Sequence, residues 1–486
     1  MALKIVLITD IHYDVSDTTP GRNTSIADIL LLRAVHRVNR FIKPDVVVVL
    51  GDLVDLANAP SAVACLERMA AIFGLIQAPA VIIPGNHDPA IETFSDIVGD
   101  VPPWLDVKGT RLVPFLDPEE PEYNARRTSA GLDHMAEARR GFAGPIIALQ
   151  HVPVFPPGRS DCPYNLVNAP DVVDAMRTNN ISLALAGHYH RGMDLVRDGN
   201  LAFLAGPALC EAPFSFLEIL MDGDNIDIRR HQLRLPEQLG LVDTHVHTQF
   251  AYCGENVSIE RDLAFADVFG LRGLRVTEHS GQLYFNADTF WNARFLDQGV
   301  RAAKADDRRM DAYFDALRDA GCPDNAIGLE VDCDAHGRAV LLEKDRTRAT
   351  FFNGAIHYLP ELRKPDRDLH RAEDEYLAVL GPFLATGIDV LAHPFRVFRR
   401  AKAPVPERLF RPVIELLRAV GVAAEINFHS QEPSADFVTM CLENGVKLAL
   451  GSDAHNLYEI GELWPHLRLL EACGFNGDLD DILVKP

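Results

Sequence analysis

Short apolar runs rich in β-branched residues recur along the chain and alternate with stretches whose apolar residues fall at helical spacing. In the first half the runs are LKIVLI (3–8), DVVVVL (45–50), AVII (80–83), IIALQ (146–150) and LALA (183–186). Residues 29–41 carry apolar side chains at helical spacing, and Ser61 stands where an N-cap would open a helix over residues 62–76. Residues 201–230 predict antiparallel strands joined by an Asp-Gly-containing turn at residues 222–224. The alternation predicts α/β architecture with mainly parallel pairing.

The segment RRHQLRLPEQLG (229–240) is polar, contains a proline and ends in glycine, so it reads as a boundary. A second series of apolar runs starts after it: LVD (241–243), LRVT (274–277), IGLEV (327–331), GAI (354–356), DVLA (389–392), VAAEI (422–426) and VKLALG (446–451). Most are followed by a helical stretch. The expected domains are residues 1–234 and 235–486, with 101–144 read as an insertion that shapes the first pocket.

Length supports the division, because 486 residues are too many for one ordinary core. A hydrophobic share of 48% and a charged share of 24% are those of a soluble globular protein. The net charge of −22 argues against a nucleic-acid or anionic-membrane partner, since both demand lysine and arginine. It leaves room for a small anionic substrate, because bound divalent cations reverse the local field. The eight cysteines (65, 162, 210, 253, 322, 333, 441, 473) form no CxxC and read as reduced thiols of a cytoplasmic protein. The first apolar run is short and ends in charge, so a strand is expected there rather than a signal peptide. No run has the length needed to cross a bilayer.

Candidate chemistry gathers just past the predicted strands. Asp10 and His12 follow the first run, Asp52 and Asp55 the second, Asn86, His87 and Asp88 the third, His151 the fourth, and His188 and His190 the fifth. The C-terminal edge of a parallel sheet is where loops converge and ligands bind. Residues two apart in an extended segment face the same side, so Asp10 with His12 and His188 with His190 can enter one site. Any one of these pieces is ordinary turn chemistry. Five in the same strand-end register are not. A His, Asp and Asn inventory without thiolate suits Mn, Fe or Zn. Asp52 is the natural bridge between two such ions, which would clamp a phosphate and acidify water.

The order D-x-H, GD-x-x-D, GNHD, H and GH-x-H resembles the calcineurin-like metallophosphoesterase superfamily, in its cyclic-nucleotide and glycerophosphodiester phosphodiesterase branch, over about residues 1–230. The resemblance implies a four-layer α/β/β/α sandwich. It implies one metal on Asp10, His12, Asp52 and His190, and a second on Asp52, Asn86, His151 and His188. It also implies that His87 contacts the phosphate or protonates the leaving group, oriented by a nearby acid. Asp55 and Asp88 are supporting residues in this reading, and Arg191 is a substrate contact or a surface residue.

The same logic restarts at residue 241. VDTHVHT supplies His245 and His247, VTEHS His279, GLEVD Glu330, GAIHYLP His357, LAHPFR His393, and GSDAH Asp453 and His455. AAEIN carries Glu425 and Asn427, read as polar lining or support. Parallel strands each followed by a helix, with polar residues at their C-terminal ends, describe a TIM-like barrel, distorted because it has seven strands. GSDAH could instead open a helix with Ser452 or Asp453 as its cap. Six histidines and two carboxylates exceed what a single ion needs.

This half resembles a PHP domain, the polymerase and histidinol phosphatase family, over about residues 241–460. The resemblance implies a distorted (β/α)7 barrel with a metal on His245, His247, Glu330 and Asp453. It implies a second on Glu330, His357 and His393, with Glu330 bridging, and a third that uses His279 and His455. Where many relatives carry His or Asp after the H-x-H motif, this chain reads AYCGEN, which leaves Cys253 or Glu255 as stand-ins. Arg396, in HPFR, is a phosphate contact or a surface ion pair; the run RVFRRAK (396–402) around it reads as a solvated face.

Together the two halves predict a bifunctional metal-dependent phosphoesterase: a phosphodiesterase followed by a PHP phosphatase. They would act in sequence on a small phosphodiester, cyclic diesters included. His87, Asp52 and Glu330 are the expected catalytic residues, and Asn86, His87, Arg191 and Arg396 the expected substrate contacts. Two competing readings are a single working diesterase beside a non-catalytic metal-binding PHP partner, and a nuclease or repair protein. The acidic balance and the lack of basic clusters with interleaved aromatics disfavour the last.

Overall fold

The computed structural model describes residues 2–17, 19–303 and 309–485. The chain divides into two compact units, Met1–Arg234 and Leu235–Pro486. Among the described residues no helix is long and apolar enough to cross a membrane. All eight cysteines are free thiols.

The strands of the first unit are β1 (Leu3–Ile8), β2 (Val46–Leu50), β3 (Ala80–Ile83), β4 (Leu105–Val107) and β5 (Thr110–Pro114). They continue with the two-residue β6 (Glu119–Glu120) and β7 (Asn124–Ala125), then β8 (Ile146–Leu149), β9 (Ile181–Ala186), β10 (Met193–Asp198), β11 (Leu201–Ala205), β12 (Ser215–Asp222) and β13 (Asn225–Gln232). One sheet runs β13-β12-β1-β2-β3 and the other β10-β11-β9-β8-β5-β4. Leu3, Ile5, Leu7, Val46 and Val48 of the first sheet and Leu112, Ile147, Leu149, Leu183 and Leu185 of the second belong to one buried cluster, so the sheets share an apolar layer. β2 lies between two parallel neighbours and is buried throughout, which is why it reads as five consecutive apolar residues rather than an alternation. Burying each such side chain contributes about 1.5–3 kcal/mol, as an upper figure.

Some local expectations shift. The helix after β1 spans Ala27–Arg37 and ends in a π-helical turn, Val38–Ile42. The next spans Ala62–Phe73, and Ser61 precedes it without capping it: its backbone is already helical (φ −82°, ψ −14°) and its hydroxyl donates to Asp14 Oδ1 (3.1 Å). The stretch 101–144 is not a mere insertion: β5 pairs in parallel with β8 and belongs to the second sheet. Its short, proline-bounded runs hid that strand. β12 and β13 join through Gly223 and Asp224, with Gly223 at φ +61° as a tight turn requires.

The second unit contains β14 (Val242–Val246), β15 (Gly273–His279), β16 (Ile327–Asp332), β17 (Phe351–Ala355), β18 (Val390–Leu391), β19 (Ala423–Asn427) and β20 (Leu448–Gly451). They form one sheet in sequence order, every neighbouring pair parallel. The sheet curls until its ends meet. The Asp453 amide donates to the His245 carbonyl (2.7 Å), the His247 amide to the Ala454 carbonyl (3.0 Å) and Thr244 Oγ1 to the Leu450 carbonyl (2.9 Å). This nearly closed seven-stranded parallel sheet is compatible with a (β/α)7 barrel.

One residue in this unit breaks the burial rules. Asp262, in the first turn of the helix Ile259–Val268, is fully buried, and neither carboxylate oxygen meets a hydrogen-bond donor in good geometry. Burial, with the Glu278 carboxylate adding, raises its pKa from 3.8 to about 8. A carboxyl with a raised folded pKa leaves stability intact below its unfolded value and removes it as pH climbs toward the folded one. Asp262→Asn should therefore gain on the wild type between pH 5 and pH 8.5, by at least about 1 kcal/mol at the upper end. Urea unfolding at both pH values measures the gap, and equal gaps would show that Asp262 is not the titrating group.

Candidate metal centres

In the first unit the nominated side chains leave the C-terminal ends of five parallel-paired strands and converge. Asp52 Oδ2 lies 3.5 Å from His12 Nε2 and 3.3 Å from His151 Nε2, so one carboxylate serves both sides of the cluster. Asp10 Oδ1 is 3.6 Å from His190 Nε2, and His12 Nε2 is 3.2 Å from the same nitrogen. Asn86 Oδ1 approaches His151 Nε2 at 3.1 Å, and His188 Nδ1 approaches it at 3.1 Å. Two sets, Asp10–His12–His190 and Asp52–His151–His188, each bring their ligand atoms within 4.8 Å of one another. Both sets lie within the groupings that the sequence resemblance implied, and a third, His12–Asp52–His87, brings in His87, for which the resemblance implied a phosphate contact instead.

The outer nitrogens are anchored. His151 Nδ1 donates to the Leu50 carbonyl (2.7 Å), His188 Nε2 to the Tyr123 carbonyl (2.8 Å) and His190 Nδ1 to Glu211 (2.6 Å). His12 Nδ1 faces Asp55 Oδ1 at 3.2 Å, and Arg22 clamps that same oxygen at 2.8 Å. Such outer partners fix the tautomer and aim the inner nitrogen into the site. Asp88 is a scaffold residue: it accepts the amides of Leu53, Val54 and Gly85. Burial, together with the Asp52 charge, pushes its carboxyl up to about 7. His87 Nδ1 donates to the backbone carbonyl of Asp55 (2.6 Å), so a main-chain oxygen and not an acid orients its ring. The glycine of GNHD is obligatory, because a Cβ on Gly85 would collide with Asp52. A cavity of 470 Å³ lies over the cluster, lined by Arg22, Asn86, His87, Tyr164, Arg191 and Glu211 among others.

The second unit builds its cluster around Glu330, which is 1% exposed. His393 Nε2 lies 2.8 Å and His357 Nε2 3.3 Å from Glu330 Oε1, and His245 Nε2 3.7 Å from it. His247 Nε2 lies 3.8 Å from Oε2, which His279 Nδ1 also approaches closely. Asp453 Oδ1 sits 3.0 Å from His247 Nε2 and 3.7 Å from His245 Nε2. His245, His247 and Asp453 form one ligand-distance group, and His247, His279 and His455 another. His455 donates from Nδ1 to the Asp453 carbonyl (2.8 Å), so GSDAH is a loop in the site rather than a helix cap. Cys253 Sγ is 3.9 Å from His279 Nε2, whereas the Glu255 carboxylate is committed to Asn456 (2.6 Å).

Three of the outer faces meet an acid. His245 Nδ1 pairs with Glu425 (2.8 Å), His247 Nδ1 with Glu278 (3.2 Å) and His357 Nδ1 with Asp332 (2.7 Å). Glu425, expected as support, also accepts the His393 amide at 2.6 Å, and a Cβ on Gly451 would collide with it. Asn427 holds Arg396 (2.6 Å), and Arg396 also pairs with Asp453 (2.5 Å). The run 396–402 is thus not simply a solvated face: Arg396, Arg399 and Arg400 line a 630 Å³ cavity together with Trp291, His279, His357 and His455.

Do these residues fit divalent cations? His245 Nε2, His279 Nδ1 and Glu330 Oε2 are buried with no hydrogen-bond partner in good geometry, among the described residues. Orphaned polar atoms are costly, and here they converge on one another. Burial alone would raise Glu330, yet the imidazoles of His279, His357 and His245 hold it well below the carboxylate range. Burial works against protonating His151, yet Asp52 pulls it up to about 10; burial and the His151 charge push His188 down to about 4. Without cations, protons on imidazoles must balance the buried carboxylates. The donor set fits Mn, Fe or Zn, with the imidazoles neutral when they ligate.

Backbone strain marks the same positions. Asp10 (φ 53°), His12 (49°), Asp52 (55°), His188 (66°), His393 (31°) and Asp453 (56°) all adopt the left-handed conformation that non-glycine residues seldom take. Six of the nominated ligands pay this local penalty, which persists only where surrounding contacts enforce it. Arg22, Glu211, Glu278 and Asp332 went unnoticed in the sequence. Glu278 and Asp332 had a signal, since each lies within two residues of a nominated ligand. Arg22 and Glu211 come from loops with no strand-end motif.

Residues 3–192 match the family model for calcineurin-like phosphoesterases. No curated protein matches the chain. Among solved structures, the chain is similar to a dimetal phosphatase from Danio rerio: 16% identity, 47% of this chain and 96% of that one, TM-score 0.40. It is also similar to a Listeria monocytogenes protein assigned as a histidinol phosphatase (14% identity, 46% and 99%, TM-score 0.35). A third is a purple acid phosphatase from yellow lupin (12% identity, 48% and 52%, TM-score 0.35). Residues 3–192 are a calcineurin-like metallophosphoesterase domain. The match lies within the first unit.

Metal content tests both clusters separately. Asp52→Ala should empty the first unit and leave the second loaded, and Glu330→Ala the reverse, as read by elemental analysis of purified protein. Asp332→Ala removes the outer partner of His357, together with the acceptor of the Gly281 amide, and should weaken cation affinity in the second unit by about 10–100-fold. Identical metal content in all four proteins would show that neither cluster binds ions.

Proposed function

We propose that the chain is a bifunctional phosphoesterase in which the first unit hydrolyses a small phosphodiester and the second, a PHP phosphatase, removes phosphate from the product. The observation that carries this reading is the pair of separate acid–imidazole clusters, each beneath its own cavity. Asp10, His12, Asp52, Asn86, His151, His188 and His190 would hold two ions. His245, His247, Glu330, His357, His393 and Asp453 would hold two more, and His279 with His455 a third. Bound divalent ions supply positive charge for the phosphate and lower the pKa of attacking water.

The remaining work falls to side chains. His87 Nδ1–H is committed to the Asp55 carbonyl, so a proton on Nε2 is the one available to a departing oxygen in the cavity it lines. Asn86 and Arg191 border the same cavity and would orient the ester. The charge inventory of the cavities favours the order of reactions. A diester phosphate carries one negative charge, and in the first cavity Arg22 is already neutralised by Asp55. A monoester carries up to two, and the second cavity presents Arg399 and Arg400 besides Arg396, which Asp453 already neutralises. A cavity of 630 Å³ suits a small molecule and not a polymer.

Phosphorus NMR on the full chain, loaded with Mn, tests the relay. With a cyclic or linear diester substrate the wild type should yield inorganic phosphate, Glu330→Ala should accumulate a monoester, and Asn86→Ala should leave the diester intact. A Glu330→Ala protein that still releases inorganic phosphate at the wild-type rate sinks the two-step reading.

A further inference from the structure

Strand β15 reads GLRVTEH, and period-2 alternation puts Arg275, Thr277 and His279 on one face. His279 joins the metal cluster at the C-terminal end. Arg275 lies four residues back, about 13 Å away, toward the N-terminal end. Positions of this kind in a parallel barrel are normally filled by branched apolar side chains. The neighbouring layer obeys that rule, with Phe351, Val390, Ala423 and Ala449 packed together and Val484 against them.

Arg275 is only 7% exposed, yet among the described residues no acid lies within ion-pairing distance of it and no hydrogen bond holds its guanidinium. Its one close partner is the Phe351 ring, 5.1 Å from the guanidinium carbon. The acid that acts on it from further off is Asp389, whose carboxylate instead accepts the Phe352 amide at 2.8 Å. A buried guanidinium without an anion is a costly arrangement.

The space beside it has the matching character. Arg275 lines a cavity of 540 Å³ at this end of the barrel, with Arg272 and Lys485 as further cations and Asp480 as the only acid. Three cations against one acid is a local reversal in a chain of net charge −22. The remaining wall is largely apolar and includes Phe351, Leu448, Leu450 and Val484. The C-terminal tail forms part of it because the Leu448 amide donates to the Ile482 carbonyl (2.8 Å) and the Val484 amide to the Leu448 carbonyl (2.9 Å). A second cavity of 560 Å³ shares Val242, Arg272 and Arg275 and contains Asp267.

We propose that the N-terminal end of the second unit's barrel binds a small anionic amphiphile, a carboxylate or phosphate head against Arg275 and a medium-length apolar body along Phe351, Leu448 and Val484. The site is distinct from the metal cluster and independent of the reaction proposed above. Its volume suits a small molecule of this kind.

Isothermal titration of the metal-loaded full chain with octanoate, octyl phosphate, octanol and inorganic phosphate tests the site. At least one of the two anionic amphiphiles should bind, with octanol weaker by about tenfold or more, and the tighter of the two identifies the head group. Arg275→Met should weaken that binding by about tenfold, Arg275→Lys should restore part of it, and Val484→Trp should block it by filling the cavity. Glu330→Gln, altered only at the metal cluster, should bind as the wild type does. Unchanged affinity in Arg275→Met, loss of binding in Glu330→Gln, or no binding of either amphiphile would overturn the proposal. If Arg275→Met fails to fold, Arg275→Lys and Val484→Trp decide the question alone.

Discussion

Burying a carboxylate is expensive unless something compensates its charge, and both units are arranged around that constraint. Asp52 and Glu330 are each 1% exposed. Around Glu330 stand five imidazoles: His245, His247, His279, His357 and His393. Asp52 has His12 and His151 on either side. Remove the positive charge, whether it comes from protons or cations, and each carboxylate becomes an uncompensated ion in a low-dielectric interior. The rigid frame exists to hold these groups against their own electrostatic cost. That explains the tethered outer nitrogens, the left-handed ligand residues and the glycines that admit Asp52 and Glu425.

The two units reach this arrangement from different sheets by one rule. A parallel strand ends in a loop that must reverse direction, and all such ends lie on one edge. In the first unit the edge belongs to two sheets that share an apolar layer, so ligands arrive from both. In the second, seven parallel strands in sequence order bring their ends into a ring. Of the acids inside the barrel strands, Glu330 stands at the centre of the cluster, whereas Glu278, Asp332 and Glu425 brace the rings of neighbouring histidines.

Much of this was legible in the chain because strand-end motifs are local. LITDIHYD, GDLVD, GNHD and GHYH each place an apolar run directly before its polar residues, and the structure brings those residues together. The barrel strands were recovered for the same reason, although β18, only Val390–Leu391, is shorter than its apolar run. What stayed hidden depends on long-range contact. β5 looked like part of an insertion, since only its pairing with β8 makes it a strand. Arg22 meets Asp55 across 33 residues, and Glu211 meets His190 across 21 that include β10 and β11. Ser61 satisfied a capping pattern, but the chain enters helical geometry at that residue and its hydroxyl turns to Asp14, 47 residues back. Arg396 and its neighbours looked like surface charge because sequence spacing carries no information about which cavity a short helix overhangs.

The way each sheet is completed bears on how the protein comes into being. β1 borders β12, a partner that begins at Ser215, and β14 borders β20, which begins at Leu448. A growing polypeptide can pair β1 with β2 and β14 with β15 early, but one edge of each leading strand stays open until nearly all of that unit has left the ribosome. Asp453 follows the closing strand, and its Oδ1 lies 3.0 Å from His247 Nε2 and 3.7 Å from His245 Nε2. During synthesis the first unit can finish folding while the second still lacks its closing strand. Chain order thus sets the order in which the two clusters are assembled.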